Sequence, residues 1–166
     1  MQTTNPHAAD IPVDGAELSV LAGKRIVICE DEGLTQLQLR RVCARAGLTV
    51  VGTALDGLQA VDVVLRERPD IVLMDVQMPL MTGLDAVRKI RESYREFCLV
   101  MLTGNSGDDL MDTVSDLGAS GFVVKPVTSE FLLPRLASVF AAFTVRAPAA
   151  EDIPSPDSGG ADDPSR

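Results

Sequence analysis

Short apolar runs alternate along this chain with longer stretches in which apolar residues recur about once per helical turn. The runs are Arg25–Cys29 (RIVIC), Thr49–Leu55 (TVVGTAL), Ile71–Met74 (IVLM), Cys98–Leu102 (CLVML) and Phe122–Val124 (FVV). Brief runs rich in β-branched residues and bounded by breaks are the pattern of strands covered on both faces. Between them, Leu34–Ala46 spaces Leu34, Leu37, Val42 and Ala46 as an amphipathic helix would. Leu58–Arg68 sets Leu58, Val61, Val64 and Leu65 on one face, and Pro69 ends it. Leu84–Tyr94 turns Leu84, Val87 and Ile90 inward and Arg88, Lys89 and Arg91 outward. Asp109–Leu117 reads as a short helix closed by Gly118. Thr128 and Glu130 have N-terminal capping character and open a last helix reaching about Phe143. Pro134 lies inside that helix, where a missing backbone hydrogen bond predicts a kink.

Five strands alternating with five helices specify an α/β architecture, a doubly wound, five-stranded parallel sheet with right-handed crossovers. The 166 residues suit one domain, expected over residues 23–146. Residues 1–22 read as a mostly disordered lead-in, although Ile11–Leu21 is apolar enough to dock. Residues 147–166, rich in Pro, Ser, Gly and Asp, read as a disordered acidic tail, with no output domain after the last helix.

Charge and composition narrow the function. The net charge of −9 is concentrated at the ends: −3 over residues 1–23 and −4 over residues 147–166, which leaves −2 for the body. No basic stripe is present to neutralise phosphates, which disfavours direct nucleic-acid binding. Hydrophobic residues make up 46% and the mean hydropathy is +0.17, yet no apolar run approaches a membrane span. The N-terminus lacks the basic cluster and apolar core of a signal peptide, so a cytoplasmic location is expected. Three cysteines (Cys29, Cys43, Cys98) without CxxC spacing suit buried, reduced thiols.

Four of the five strands deliver a chemically useful residue at their ends: Glu30-Asp31, Asp75, Thr103 and Lys125. Strand ends of a parallel sheet converge at its carboxyl edge, where open α/β folds bind ligands. Clustered carboxylates repel one another unless a cation intervenes, and hard oxygen donors suit Mg²⁺. Lys125 adds a point charge, and Thr103 a hydroxyl that donates and accepts. Together they form a cradle for a phosphoryl group, whose transfer depends on positioning and charge neutralisation.

Over about residues 24–143 the chain resembles a receiver domain of bacterial two-component response regulators. The likeness rests on RIVICEDE, PDIVLMDVQMPLMTG, VMLTG and GASGFVVKP in that order, with intervals of 44 residues (31 to 75), 28 (75 to 103) and 22 (103 to 125). The resemblance implies the flavodoxin-like (βα)5 receiver fold and a phosphoprotein carrying an aspartyl phosphate at Asp75. It makes Asp31 a direct Mg²⁺ ligand, Glu30 a ligand through water, and Asp75 and the Gln77 carbonyl further ligands. Lys125 would pair with the acceptor carboxylate, Thr103 would be the switch hydroxyl and Phe122 the aromatic switch, and the Lys125–Pro126 bond would be cis.

The implied role is phosphorelay signal transduction by a single-domain regulator. It would take its phosphoryl group from a sensor histidine kinase or histidine phosphotransferase and signal by phosphorylation-dependent binding to a protein effector. It is not expected to be an enzyme beyond its own Mg²⁺-dependent phosphorylation and dephosphorylation. Gln77 and Asn105 stand where they would affect the lifetime of the phosphoryl group, and Gly104 leaves space beside it. Phe122 lacks the hydroxyl of a tyrosine. EDEGLTQLQLRR and FLLPRL are also similar to receivers of RNA-binding antiterminator regulators. A hydrolase of the haloacid-dehalogenase kind would need an Asp at position 77, which is Gln. A degenerate receiver that docks without phosphorylation is opposed by the intact acid pair, Asp75, Thr103 and Lys125. His7, the only histidine, falls in the lead-in, so the expected domain holds no phosphodonor of its own.

Overall fold

The alternating pattern folds into three layers. In a computed structural model, which describes residues 18–104, 113 and 115–146, β1 (Arg25–Cys29), β2 (Thr49–Ala54), β3 (Ile71–Asp75), β4 (Cys98–Thr103) and β5 (Gly121–Val124) form one parallel sheet. Its order is β2-β1-β3-β4-β5. The described helices are α1 (Gly33–Arg45), α2 (Gly57–Glu67), α3 (Gly83–Arg91) and α4 (Ser129–Arg146). Successive strand residues point to opposite faces, so each run feeds two cores. Ile26, Ile28, Ile71 and Leu73 pack with Leu39 and Cys43 of α1 and Leu132, Leu136 and Phe140 of α4. Val27, Cys29, Val72 and Met74 pack with Ala60, Val63 and Val64 of α2 and Ala86, Val87 and Ile90 of α3. All five residues of β3 and all six of β4 are buried, as central strands of a sheet covered on both sides must be.

Two helices are rolled differently from the expected faces. In α1 the buried residues are Leu39 and Cys43, whereas Leu34 is 65% and Leu37 40% exposed. The inward stripe runs through Gln36, Leu39 and Cys43, because the Gln36 carboxamide bonds to the ends of β1 and β2. In α2 the small residues Gly57 and Ala60 face inward with Val63 and Val64, and Leu58 is 51% exposed. Close approach of α2 to the loop after β3 favours small residues on that side. Arg91, expected outward, is half-buried: its guanidinium covers the Phe97 ring at 5.0 Å and donates to the Gly118 carbonyl at 2.8 Å.

Element ends also moved. β3 and β4 each extend by one residue, which makes Asp75 and Thr103 the last strand residues. α4 runs on to Arg146 with Pro134 inside it. Within the expected lead-in, Ser19–Leu21 forms a 3-10 turn, and Leu21 is buried beneath α4 with Leu18 and Val20 packed around it. Of the short helix expected at Asp109–Leu117, Thr113, Ser115 and Asp116 are helical and Gly118 ends it at φ +67°. Leu117 lies in the closing turn, whereas positions 109–112 and 114, Asn105, residues 1–17 and the tail 147–166 lie outside the described residues.

The thiols are free and buried. Burial pushes the Cys43 thiol up to about 12 and Cys98 up to about 11, and it raises Cys29 as well. The thiolate is the reactive form, so all three should resist a thiol reagent in the native protein at pH 8 and react together on unfolding. A disulfide-exchange colour assay with and without denaturant checks this; fast reaction of any one in the native state would contradict its burial.

Candidate functional site

Parallel register brings the chemistry of four strands to one edge. Cys29 of β1 pairs with Met74 of β3, so Glu30 leaves β1 beside Asp75. Asp75 pairs with Leu102, and Thr103, one residue further along β4, pairs with Val124. The Lys125 amide then donates to the Thr103 carbonyl at 2.8 Å, which sets Lys125 at the end of β5.

Asp75 is only 4% exposed, and its two oxygens have different partners. Oδ2 accepts from Lys125 Nζ at 2.7 Å, and Oδ1 accepts from the Gln77 amide at 3.0 Å. The same Nζ lies 2.7 Å from Oε2 of the fully buried Glu30, so one ammonium bridges two carboxylates. Burial pushes the Glu30 carboxyl up and the negative charge of Asp75 adds to it, while Lys125 and the Glu32 amide pull it down. Burial alone would lower Lys125, but bonding and attraction to Asp75 and Glu30 outweigh it, so its ammonium is held above its usual range.

Exposed Asp31 completes an acidic group with Glu30 and Asp75, each offering one oxygen within 4.8 Å of the others. Three ionised carboxylates against one ammonium leave an excess of two negative charges. Hard oxygen donors with that excess fit a divalent cation such as Mg²⁺.

The backbone around Asp75 is tightly fixed. The Val76 amide continues the ladder to the Leu102 carbonyl at 2.9 Å, and the Gly83 amide closes the loop onto the Val76 carbonyl at 2.9 Å. Thr82 caps α3 by accepting from the Asp85 amide at 3.2 Å. Gly57, which begins α2, leaves no room for a side chain against the Met81 carbonyl, and Gly83 leaves none against that of Asp75. The loop therefore has little freedom to drift.

The remaining expected positions sort as follows. Thr103 is buried at the end of β4, adjacent in the sheet to Asp75. The Gln77 side chain is exposed, and a side chain at Gly104 would meet nothing nearby. Phe122 is half-buried, with the Arg135 guanidinium 5.6 Å from its ring centre. The Lys125–Pro126 bond is cis. Sequence reading missed Gln36, although a polar residue three before Leu39 and seven before Cys43 sits on the buried stripe and so announces a buried partner. Among the described residues, no helix is long and apolar enough to cross a membrane.

Comparison with known proteins agrees with this geometry. Residues 26–137 match the family model described as the response regulator receiver domain. The transcriptional regulatory protein PdtaR of Mycobacterium tuberculosis is 38% identical over 113 residues, which cover 68% of this chain and 55% of PdtaR. This chain therefore matches about half the length of that relative. The chemotaxis protein CheY of Thermotoga maritima is 32% identical over 63% of this chain and 87% of its own. Among solved structures, Vibrio cholerae CheY4 superposes with a TM-score of 0.67 at 30% identity, covering 71% of this chain and 99% of that one. A Borrelia burgdorferi CheX–CheY–BeF3–Mg complex gives 0.69 at 29% identity, covering 72% and 90%. Sheet order, strand-edge acids and the family match converge: the chain belongs to the response regulator receiver domain family.

Proposed function

We propose that Asp75 accepts a phosphoryl group from a phosphohistidine of a sensor kinase or phosphotransferase, and that the resulting aspartyl phosphate controls binding to a protein effector. The observation that carries this reading is the state of Asp75: a nearly buried carboxylate with Lys125 on one oxygen and a backbone amide on the other. An oxygen of Asp75 attacks phosphorus, the P–N bond breaks, and the donor imidazole keeps that electron pair. Lys125 moves its charge from the carboxylate to the phosphoryl oxygens, and the Thr103 hydroxyl follows it. Asp31, Asp75, the Gln77 carbonyl and, through water, Glu30 would hold Mg²⁺. The bound ion supplies neutralisation of the phosphoryl charge.

Phosphorylation then shifts an existing equilibrium at the surface of β5, α4 and the helix before β5, with half-buried Phe122 as its aromatic element. On this reading the protein works by binding, and its own chemistry is limited to gaining and losing one phosphoryl group. The exposed Gln77 side chain stands where it would order or exclude the water that ends the signal.

Incubation with acetyl phosphate followed by intact-mass measurement tests the reading. One added phosphoryl group is expected with Mg²⁺ and none with a chelator. Absence of labelling with Mg²⁺ would favour a receiver that docks unphosphorylated.

A further inference from the structure

Gln36 holds the acid pair in place through its backbone. Its Nε2 donates to the Glu30 carbonyl at 3.1 Å and to the Ala54 carbonyl at 2.8 Å. The first carbonyl belongs to the peptide that joins Glu30 to Asp31. The second already accepts from the Glu30 amide at 3.0 Å, so the carboxamide closes a clamp between the ends of β1 and β2. A carboxamide nitrogen has two donors in a fixed fork, and here both acceptors are carbonyls. This fixes the amide's orientation: turned over, it would set its oxygen against two others.

Leu34 and Leu37 face outward, and Gln36 is half-buried on the stripe that continues to Leu39 and Cys43. The other bonds of the acid loop fall on either side of the Glu30–Asp31 peptide: Lys125 and the Glu32 amide hold the Glu30 carboxylate, and the Gln36 amide and Thr35 hydroxyl donate to Glu32. Asp31 is exposed, and the peptide before it sets where its Cα stands and so which positions its carboxylate can reach.

We propose that Gln36 is a positioning residue for the cation site, holding the Glu30–Asp31 peptide so that the three carboxylates present oxygens to one divalent ion. The inference rests on the proposed reading of Glu30, Asp31 and Asp75 as a metal site. Residues that orient metal ligands typically contribute roughly tenfold or more to affinity. Gln36→Met keeps the length and helix preference of the side chain and removes both donors. Gln36→Asn keeps the donors but is one methylene too short to span both carbonyls. Gln38→Met, on the exposed side of the same helix, is the control.

The test is Mn²⁺ binding to each full-length variant by electron paramagnetic resonance, with thermal unfolding of the cation-free proteins alongside. Gln36→Met should weaken binding about tenfold. Gln36→Asn should fall between it and the wild type, and Gln38→Met should match the wild type. A purely structural role would lower the unfolding temperature and leave the dissociation constant unchanged, which would overturn the inference. Equal binding by wild type and both Gln36 variants would overturn it while the metal site stood. If the wild type bound no Mn²⁺, the inference would fall together with the metal-site reading.

Discussion

Asp75→Asn is expected to bring phosphoryl labelling by acetyl phosphate down to background while the protein stays folded. An amide is a poor nucleophile at phosphorus, and no neighbour replaces the lost oxygen. Glu30 is fully buried and paired with Lys125, and Asp31 is exposed, whereas the ammonium pairs with Glu30 and Asp75. Two opposed effects bear on stability. Lys125 loses a 2.7 Å partner, but three carboxylates around one ammonium become two. Unfolding free energy at neutral pH should therefore stay within about 1 kcal/mol of the wild type.

The pH dependence has a definite sign. Glu30 is raised in the fold by burial and then by the charge of Asp75, so ionising it opposes folding. Its contribution to stability is most favourable below the usual carboxylate range and declines as pH rises through the raised value. Removing the Asp75 charge lowers Glu30, so the variant gains on the wild type as pH rises across that window. Chemical unfolding at several pH values, paired with intact-mass labelling, checks both parts. Full labelling of the variant would move the acceptor elsewhere.

The sheet and its edge were legible because their signals are local and redundant. IVLM before Asp75 is apolar throughout, the pattern of a strand buried on both faces, and β3 is buried at every position. The arrival of Glu30, Asp31, Asp75, Thr103 and Lys125 at one edge follows from parallel topology without knowledge of any side-chain contact. The roll of α1 and α2 was less legible, because side-chain apolarity predicts a face only where packing space is uniform. In α1 a hydrogen-bonding residue, Gln36, took an inward position, and leucines at 34 and 37 turned to solvent. In α2 the closeness of the loop after β3 selected small residues, and Leu58 was displaced outward. The Lys125–Asp75 pair was expected from the resemblance, but the second contact of the same ammonium, to Glu30, was illegible, since it depends on where an ammonium comes to rest, not on residue order.

Among the described residues, three helices begin with glycine, and the same substitution should have different effects at two of them. Gly33 opens α1 and Gly83 opens α3, each just inside a helix N-terminus. Alanine is the better helix former by about 1 kcal/mol, and a Cβ at Gly33 would meet nothing within 4 Å. Gly33→Ala should therefore be neutral or slightly stabilising. A Cβ at Gly83 would overlap the carbonyl oxygen and carbon of Asp75 and press on Met74 Cγ at 3.0 Å. The first two atoms are backbone of the central strand, paired on one side with β1 and on the other with β4, so they cannot yield cheaply. Relief requires α3 to lift away, which breaks the 2.9 Å bond from the Gly83 amide to the Val76 carbonyl and loosens the packing of Ala86, Val87 and Ile90. A cost of about 3 kcal/mol follows from overpacking a core at backbone, lowering the unfolding temperature by roughly 10 °C. Because the displaced atoms belong to Asp75 itself, the rate of phosphoryl labelling should fall as well, under conditions where the variant is still fully folded. A Gly83→Ala protein as stable as Gly33→Ala would show that the loop after β3 is looser than its contacts imply.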